Sequence, residues 1–349
     1  MIEFNDIVFT WSGSELMDPL VTESIDQRKL SRKGIDTRNV LGVTNKMPLN
    51  SNETFSSVNG VNELPVINEN GTYEEMSSSV GPEKGFKVIE YGEKITSSRL
   101  FGRRQAASKS LKGASDDIRK EYLNTASKTR NLLSAAEKGA EYQTTKLLTK
   151  GFSVSAAYGP GSATPKGLPL FSASHTIYAD GFTTFSNLVS GALTSTTLKA
   201  AIQLHIAIRL ENGDRVSQPR KEGYTLMVSP AGEENARSIL NDGSKFAAAG
   251  TAETRNIFMF EGFRVNLEIL EKLGDYDRNG EAIGTDVMWF LSNKPIIKET
   301  KAAKMIRLAN AQIDTYTNNE TKQSIIDVSE SFAIDHYGLE YAICWSVWV

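Results

Sequence analysis

The clearest pattern of apolar and polar positions lies between residues 115 and 150. Apolar side chains recur there near every 3.6 positions with no interrupting proline, namely at Ile118, Tyr122, Ala126, Leu133, Ala136, Ala140 and Leu147. Ser115 and the two aspartates after it favour a helix start, and Gly151 favours an end. The pattern predicts one helix of about 50 Å at 1.5 Å per residue. Two shorter helices that break near Gly139 are the alternative.

The segment before this helix is polar and irregular. Residues 1–60 carry only scattered apolar positions, and residues 53–98 are rich in Gly, Asn, Ser and Glu. Asn59-Gly60 and Asn70-Gly71 are typical of hairpin turns. The pattern predicts a loose arm followed by a long hairpin.

The hairpin runs into "FKVIEYGEKITSSRL" (86–100), which predicts one or two strands. We expect Val88 and Ile89 in the first strand and Ile95 in the second. A polar hairpin with so little apolar surface is not stable by itself. It must therefore pack on a neighbouring domain or on another subunit.

A second helix follows a loop-rich connector that covers residues 151–192. Thr194 is its predicted N-cap, the helix spans 195–211, and Asn212-Gly213 is its stop. His205 shares one face with the apolar residues Leu198, Ala201, Ile202 and Ile208. We therefore interpret His205 as a core or boundary histidine and not as a ligand.

The last part of the chain mixes strands and helices. "YTLMVSPAGEENARSIL" (224–240) predicts a buried strand that runs into a helix opened at Pro230, with two glutamates in its first turn. Further strands are expected at 257–269, at 288–291 and within 311–349. Because strands and helices do not alternate regularly, the fold class is predicted to be α+β.

Composition narrows the class of protein. The 349 residues are 40% hydrophobic and 23% charged, which is typical of a globular chain with a sizeable core. A net charge of -3 does not favour a dedicated nucleic-acid binder with a basic face. Cys344 is the one cysteine, so neither an intrachain disulfide nor a Cys-rich metal site is possible. The acidic first residues and the short apolar runs predict a soluble, cytoplasm-made protein with no export signal and no membrane span.

One short stretch suggests nucleophilic catalysis. "GLPLFSASHT" (167–176) places Ser172 and Ser174 just before His175. A serine enzyme needs a hydroxyl, an imidazole that takes its proton, and a group that orients the imidazole. Neighbouring side chains of an extended segment point to opposite faces, and the stretch lacks the G-x-S-x-G elbow.

A triad could in principle be completed from elsewhere in the chain. The remaining histidines are His205 and His336, the latter beside Asp335. We favour a structural interpretation of the stretch, a loop or strand with satisfied hydroxyls.

Two further segments carry chemistry-bearing residues without a defined motif. "GPGSATPKG" (159–167) lacks the P-loop order of glycines and lysine and is interpreted as a flexible loop. "FGRRQAASKSLK" (101–112) concentrates four cations, Arg103, Arg104, Lys109 and Lys112, without interleaved aromatic residues. A solvated face and a subunit or phosphate contact are equally compatible with that segment.

The best match to a ligand template is "DYDRNGEAIGTD" (275–286). Its residues at calcium-loop positions 1, 3, 5, 6 and 12 are Asp275, Asp277, Asn279, Gly280 and Asp286. The last position holds Asp where the bidentate Glu belongs, and a strand follows in place of the exit helix. We interpret the segment as a hairpin turn. None of these segments amounts to an active site, so no catalytic, cofactor-binding or metal residues are predicted.

Taken in order, these features resemble the major capsid protein of tailed bacteriophages, and most closely the Mu-like major head subunits. An arm, a hairpin and a long helix are followed by "GLPLFSASHTI" (167–177), similar to a short stretch of that branch. Similar stretches follow in the family's order: "FSNLVSGALTSTTLKAAIQL" (185–204), "YTLMVSPAGEENARSIL" (224–240), "DVMWFLSNK" (286–294) and "HYGLEYAICWSVWV" (336–349).

The resemblance implies a division of the chain. It would comprise an N-terminal arm (1–40), an extended loop (41–100), a peripheral domain with the spine helix (101–223), an axial domain (224–300), and return strands of the peripheral domain (301–349). The chain starts directly at the arm, which leads us to expect a separate scaffolding protein or none.

The resemblance also implies a function. The protein would assemble into hexamers and pentamers of an icosahedral shell around double-stranded DNA, bound without sequence specificity. Its partners would be itself, a portal, and scaffolding or decoration proteins; it would have no cofactor and would reside in the virion after assembly in the host cytoplasm. The alternatives are a nanocompartment shell of the same fold and a serine hydrolase.

Overall fold

The computed structural model describes residues 3–4, 7–10, 41, 44–46, 52–58, 80–96, 116–152, 164, 167–176, 184–209, 223–241, 264–276, 280–300, 302–318, 320, 323–341 and 343–347. The helices in this part of the chain are α1 (Asp116–Thr149), α2 (Ser195–Ala207), α3 (Glu233–Asn241) and α4 (Lys294–Thr300). The strands are β1 (Glu3–Phe4), β2 (Ile7–Thr10), β3 (Thr44–Lys46), β4 (Asn52–Val58), β5 (Val80–Lys87), β6 (Ile89–Thr96), β7 (His175–Thr176), β8 (Thr184–Phe185), β9 (Leu188–Ser190), β10 (Tyr224–Val228), β11 (Val265–Ile269), β12 (Trp289–Asn293), β13 (Ala303–Thr317), β14 (Ser324–His336) and β15 (Ile343–Val347).

A six-stranded sheet is built on the long antiparallel pair β13–β14. Its order is β1-β2-β13-β14-β6, and β3 also pairs with β13. The β13–β14 ladder runs from Ala303 opposite His336 to Thr317 opposite Ser324. Strands from the first hundred residues are thereby joined to strands from the last fifty.

A five-stranded sheet holds the main core. Its order is β11-β10-β12-β15-β9, and every residue of the central strands β10 and β12 is buried. Both strands contain continuous apolar runs, which is typical of strands covered on both faces. The strands come from segments assigned above to the peripheral domain, the axial domain and the return strands, and the domain division stays a prediction.

The long helix is confirmed as one continuous element, α1. The alternative break near Gly139 is wrong. A Cβ at Gly139 would lie 3.3 Å from Oε1 of Glu330 on β14, so this glycine permits close packing of helix and sheet. The predicted N-cap, Ser115, lies outside the described residues.

The second helix is confirmed at its start and shorter than predicted at its end. Thr194 accepts a hydrogen bond from Thr197 N (3.1 Å), and the Thr197 hydroxyl accepts one from Thr194 N (2.9 Å), which completes a capping box. The prediction that the helix reaches residue 211 is wrong, because Ile208 turns to extended backbone (ψ 139°) while its side chain is fully buried. The predicted stop at 212–213 lies outside the described residues.

The predicted hairpin is present as β4 and β5, which pair antiparallel from Asn52 opposite Lys87 to Val58 opposite Val80. Its two predicted Asn-Gly turns lie outside the described residues. The strand assignment after it is corrected: Ile89 and Ile95 share β6, and Val88 separates β5 from β6. Strand β5 is polar and pairs only with β4 among the described strands, so no alternation of apolar residues marked it.

The buried strand and helix predicted over 224–240 are confirmed as β10 and α3, with a single 3-10 turn, Pro230–Gly232, between them. Trp289, Tyr224, Phe171 and Phe290 are among the largest fully buried side chains of the core. No helix in the described part of the chain is both long and apolar enough to cross a membrane.

Candidate functional site

The connector that carries the serines packs against the end of α1. Phe171 N donates a hydrogen bond to Gly151 O (2.9 Å). A Cβ at Gly151 would lie 2.8 Å from two ring carbons of Phe171, closer than a Cβ contact normally comes. Gly151 therefore serves this close approach as well as the end of the helix.

A buried amide, Asn187, holds the connector in place. Its Oδ1 accepts a hydrogen bond from Ser172 N (2.9 Å), and its Nδ2 donates to Leu170 O (2.8 Å) and Glu340 O (3.3 Å). Asn187 is completely buried, so these bonds satisfy backbone groups that water cannot reach. It thereby joins the connector to the C-terminal 3-10 turn Leu339–Tyr341. Nothing in the sequence marks Asn187, because a lone asparagine that bonds to backbone belongs to no motif.

The serines and His175 do not form a nucleophile–base pair. The Ser172 hydroxyl accepts a hydrogen bond from Ser174 N (3.2 Å), and Ser174 is exposed. His175 is buried, donates from Nε2 to Leu170 O (3.2 Å), and stacks on Phe185 with ring centroids 5.0 Å apart. Neither serine hydroxyl is hydrogen-bonded to His175. This geometry supports the structural interpretation of the stretch.

His205 is a core histidine. It is completely buried on α2, its Nε2 donates to Leu291 O on β12 (3.0 Å), and its ring lies 5.4 Å from that of Tyr224. Burial lowers the pKa of His205 to about 4, although the hydrogen bond to Leu291 opposes that shift. The imidazole is therefore neutral at pH 7, and its hydrogen bond joins α2 to β12.

His336 and Asp335 belong to a different buried cluster, at the end of β14. Asp335 Oδ1 accepts hydrogen bonds from Lys84 Nζ (2.6 Å) and from His336 N (2.8 Å). Lys84 Nζ also donates to His336 O (3.0 Å), and His336 Nδ1 lies 3.7 Å from Glu340 Oε2. Burial raises the pKa of the Asp335 carboxyl, and the Lys84 ammonium opposes that rise. No serine is among these contacts, so they do not complete a triad with the connector.

The described ends of the calcium-like segment pair as the two sides of a hairpin do. Tyr276 bridges to Ala282, and Ile283 N donates to Asp275 O (2.8 Å). The Lys272 ammonium lies 3.4 Å from Asp275 Oδ2, where it competes with any cation for that carboxylate. A Cβ at Gly274 would meet the Asp286 carboxylate, and Asp277 and Asn279 lie outside the described residues. Within the described ranges, no group of three or more His, Cys, Asp or Glu side chains could hold a metal ion.

The structure describes little of the two remaining segments. The basic segment 101–112 lies outside the described residues. Of the glycine-rich segment 159–167, Thr164 and Gly167 are described: Gly167 N donates to Thr164 O (2.9 Å), and Gly167 has a φ of 77°. This hydrogen bond joins the two described residues of the segment, both of which lie within the connector.

Comparison with known proteins gives a likeness in fold. No protein-family model matches the chain, and no curated protein matches it in sequence. The capsid structure of the Cyanophage P-SCSP1u is 10% identical, with 91% of this chain and 90% of that chain covered and a TM-score of 0.51. A structure from Mycobacterium phage Patience is 12% identical, with 100% of this chain and 94% of that chain covered and a TM-score of 0.51. The chain has the α+β fold of phage capsid structures over nearly all of its length.

Proposed function

We propose that this protein is the major capsid protein of a tailed bacteriophage, a structural subunit that assembles into hexamers and pentamers of an icosahedral shell around double-stranded DNA. The observation that carries the proposal is the likeness in fold to the Cyanophage P-SCSP1u capsid, which spans 91% of this chain and 90% of that chain. The shared fold thus spans most of both chains. The Mu-like branch stays a prediction from the order of sequence motifs.

The extended hairpin supports a role in assembly. Within the described residues, β4 and β5 form a separate two-stranded sheet, and a two-stranded hairpin is marginal by itself in water. In a closed shell, a neighbouring subunit covers such an element and satisfies its backbone edges. The other proposed partners are a portal, scaffolding or decoration proteins, and the packaged DNA.

The charge of the chain supports a container for DNA. The net charge is -3, and a strongly basic wall would bind phosphates tightly through counterion release. A near-neutral wall lets the cargo enter and leave. The proposed location is therefore the virion, and the proposed role is structural and not enzymatic.

The test is a truncation of the hairpin that leaves its attachment intact. Residues 56–82 are replaced by a short Gly-Ser linker, and the buried residues Lys84 and Phe86 are kept. We expect a soluble subunit whose intrinsic tryptophan fluorescence shows a normal core. It should form no closed particles in light scattering and negative-stain images. Normal shells from the truncated protein would contradict the proposed role of the hairpin.

A further inference from the structure

The hairpin leaves the six-stranded sheet at one defined point. Strand β6 pairs with β14 up to Ile89 opposite Phe332, and β5 begins its pairing with β4 at Lys87, with only Val88 between. Backbone hydrogen bonds therefore join residues 89–96 to β14, and they join the residues before Val88 to β4. The direction of the hairpin depends on what fixes this junction.

Side chains continue the contact with β14 beyond the last backbone pair. Phe86 is 1% exposed and packs with Ile306 and Ala333, together with the half-buried Val88. Two residues earlier, Lys84 reaches Asp335, which lies two residues after Ala333. The spacing of two on both strands places these contacts on one face, because side chains two apart in a strand share a face.

The contact at Lys84 is a buried ion pair. The Lys84 and Asp335 side chains are only 9% and 6% exposed, and Nζ lies 2.6 Å from Oδ1. Nζ also donates to His336 O and lies 5.8 Å from the centre of the Phe86 ring. A desolvated charge that loses its partner is strongly unfavourable. The hairpin therefore cannot swing away from β14 without exposing Phe86 and separating two buried charges.

We propose that the Lys84–Asp335 ion pair, with Phe86, is the anchor that fixes the direction in which the hairpin leaves the sheet, and that formation of closed particles depends on it. This inference rests on the proposed function. Lys84 and Asp335 are positioning residues: they hold the hairpin, which is the element proposed above to contact the neighbouring subunit.

The test compares the anchor with another lysine that lies opposite an aspartate of β14. Lys84→Met removes the buried ammonium, and Lys94→Met removes an exposed lysine that lies opposite Asp327 in the β6–β14 ladder. We expect Lys84→Met to lose roughly tenfold or more of the hydrogen-exchange protection of β4 and β5, since their opening becomes local, while protection of β10 and β12 is unchanged. Its yield of closed particles falls to background, Lys94→Met matches the wild type, and Lys84→Arg restores most of the yield.

A second variant guards against a general loss of folding in Lys84→Met. The double variant Lys84→Met/Asp335→Leu removes both charges, and such replacements of buried pairs are often neutral or stabilising. A folded double variant that assembles poorly supports the anchor, because hydrophobic packing alone then fails to set the direction.

Two results would overturn the inference. One is unchanged hydrogen-exchange protection of the hairpin in Lys84→Met, and the other is a normal yield of particles from Lys84→Met or from Lys84→Met/Asp335→Leu. If the wild-type protein forms no particles, the proposed function fails, and hydrogen exchange alone then decides on the anchor. Loss of protection confined to the hairpin supports it, and unchanged protection refutes it.

Discussion

Removal of the Asn187 side chain tests whether the connector is a structural element. In Asn187→Ala, Ser172 N loses its acceptor, and the carbonyls of Leu170 and Glu340 lose a donor. Each buried polar group that loses its partner costs about 1–3 kcal/mol, and Leu170 O keeps its bond from His175. We expect the free energy of unfolding to fall by about 3 kcal/mol.

The candidate nucleophile should matter far less for stability. Ser172→Ala removes one acceptor for the backbone N–H of the exposed Ser174, a loss of less than about 1 kcal/mol. Ser186→Ala is the matched control, because that hydroxyl bonds only within its own turn to Leu188. Urea unfolding followed by intrinsic tryptophan fluorescence measures the free energy of unfolding of each variant.

Two outcomes would refute the reasoning. An Asn187→Ala variant as stable as Ser172→Ala and Ser186→Ala would show that the hydrogen bonds of Asn187 do not hold the connector. Ester or peptide hydrolysis by the wild-type protein that disappears in Ser172→Ala and His175→Ala would show that the stretch is catalytic.

Three further predictions follow from single contacts. Gly151→Ala should lower the free energy of unfolding by about 1–3 kcal/mol in thermal melts, because its Cβ would lie 2.8 Å from the Phe171 ring; a neutral effect would mean that the ring has room to move. The buried His205 has its pKa lowered from 6.5 to about 4, so the unfolded chain binds the proton more readily. The free energy of unfolding should therefore be constant in this respect above about pH 6.5 and should fall by up to about 3 kcal/mol as the pH decreases towards 4. His205→Gln should flatten that part of the plot of stability against pH, and an unchanged plot would refute the assignment. Added calcium should leave the melting temperature unchanged in calorimetry, since Lys272 lies beside Asp275, and a rise reversed by chelator would contradict this.

The sequence predicted the elements that depend on local signals. The spacing of apolar residues indicated α1, the Thr194 cap indicated the start of α2, and the apolar run before Pro230 indicated β10. Each of these signals lies within a few residues of the element that it marks. The end of α2 was wrong because burial of Ile208 decides it, and burial depends on distant parts of the chain.

The site could be predicted only in part, because its contacts join distant segments. That His205 is a core residue followed from its place on an apolar face of a helix. The bonds of Asn187 to Glu340 and of Lys84 to Asp335 join residues 153 and 251 positions apart. Strand β5 carries no alternation of apolar residues, and nothing local marks Lys84 as a buried lysine.

The central claim is that this protein forms a shell, and electron microscopy of the purified wild-type protein tests it most directly. The protein is expressed alone and with candidate scaffolding proteins, and particles are imaged and their contents analysed after nuclease treatment. We expect closed icosahedral particles built of hexamers and pentamers, with double-stranded DNA inside those recovered from infected cells. Particles filled with enzyme in place of DNA would indicate a nanocompartment, and a protein that stays monomeric at every concentration and with every scaffold would contradict the assignment.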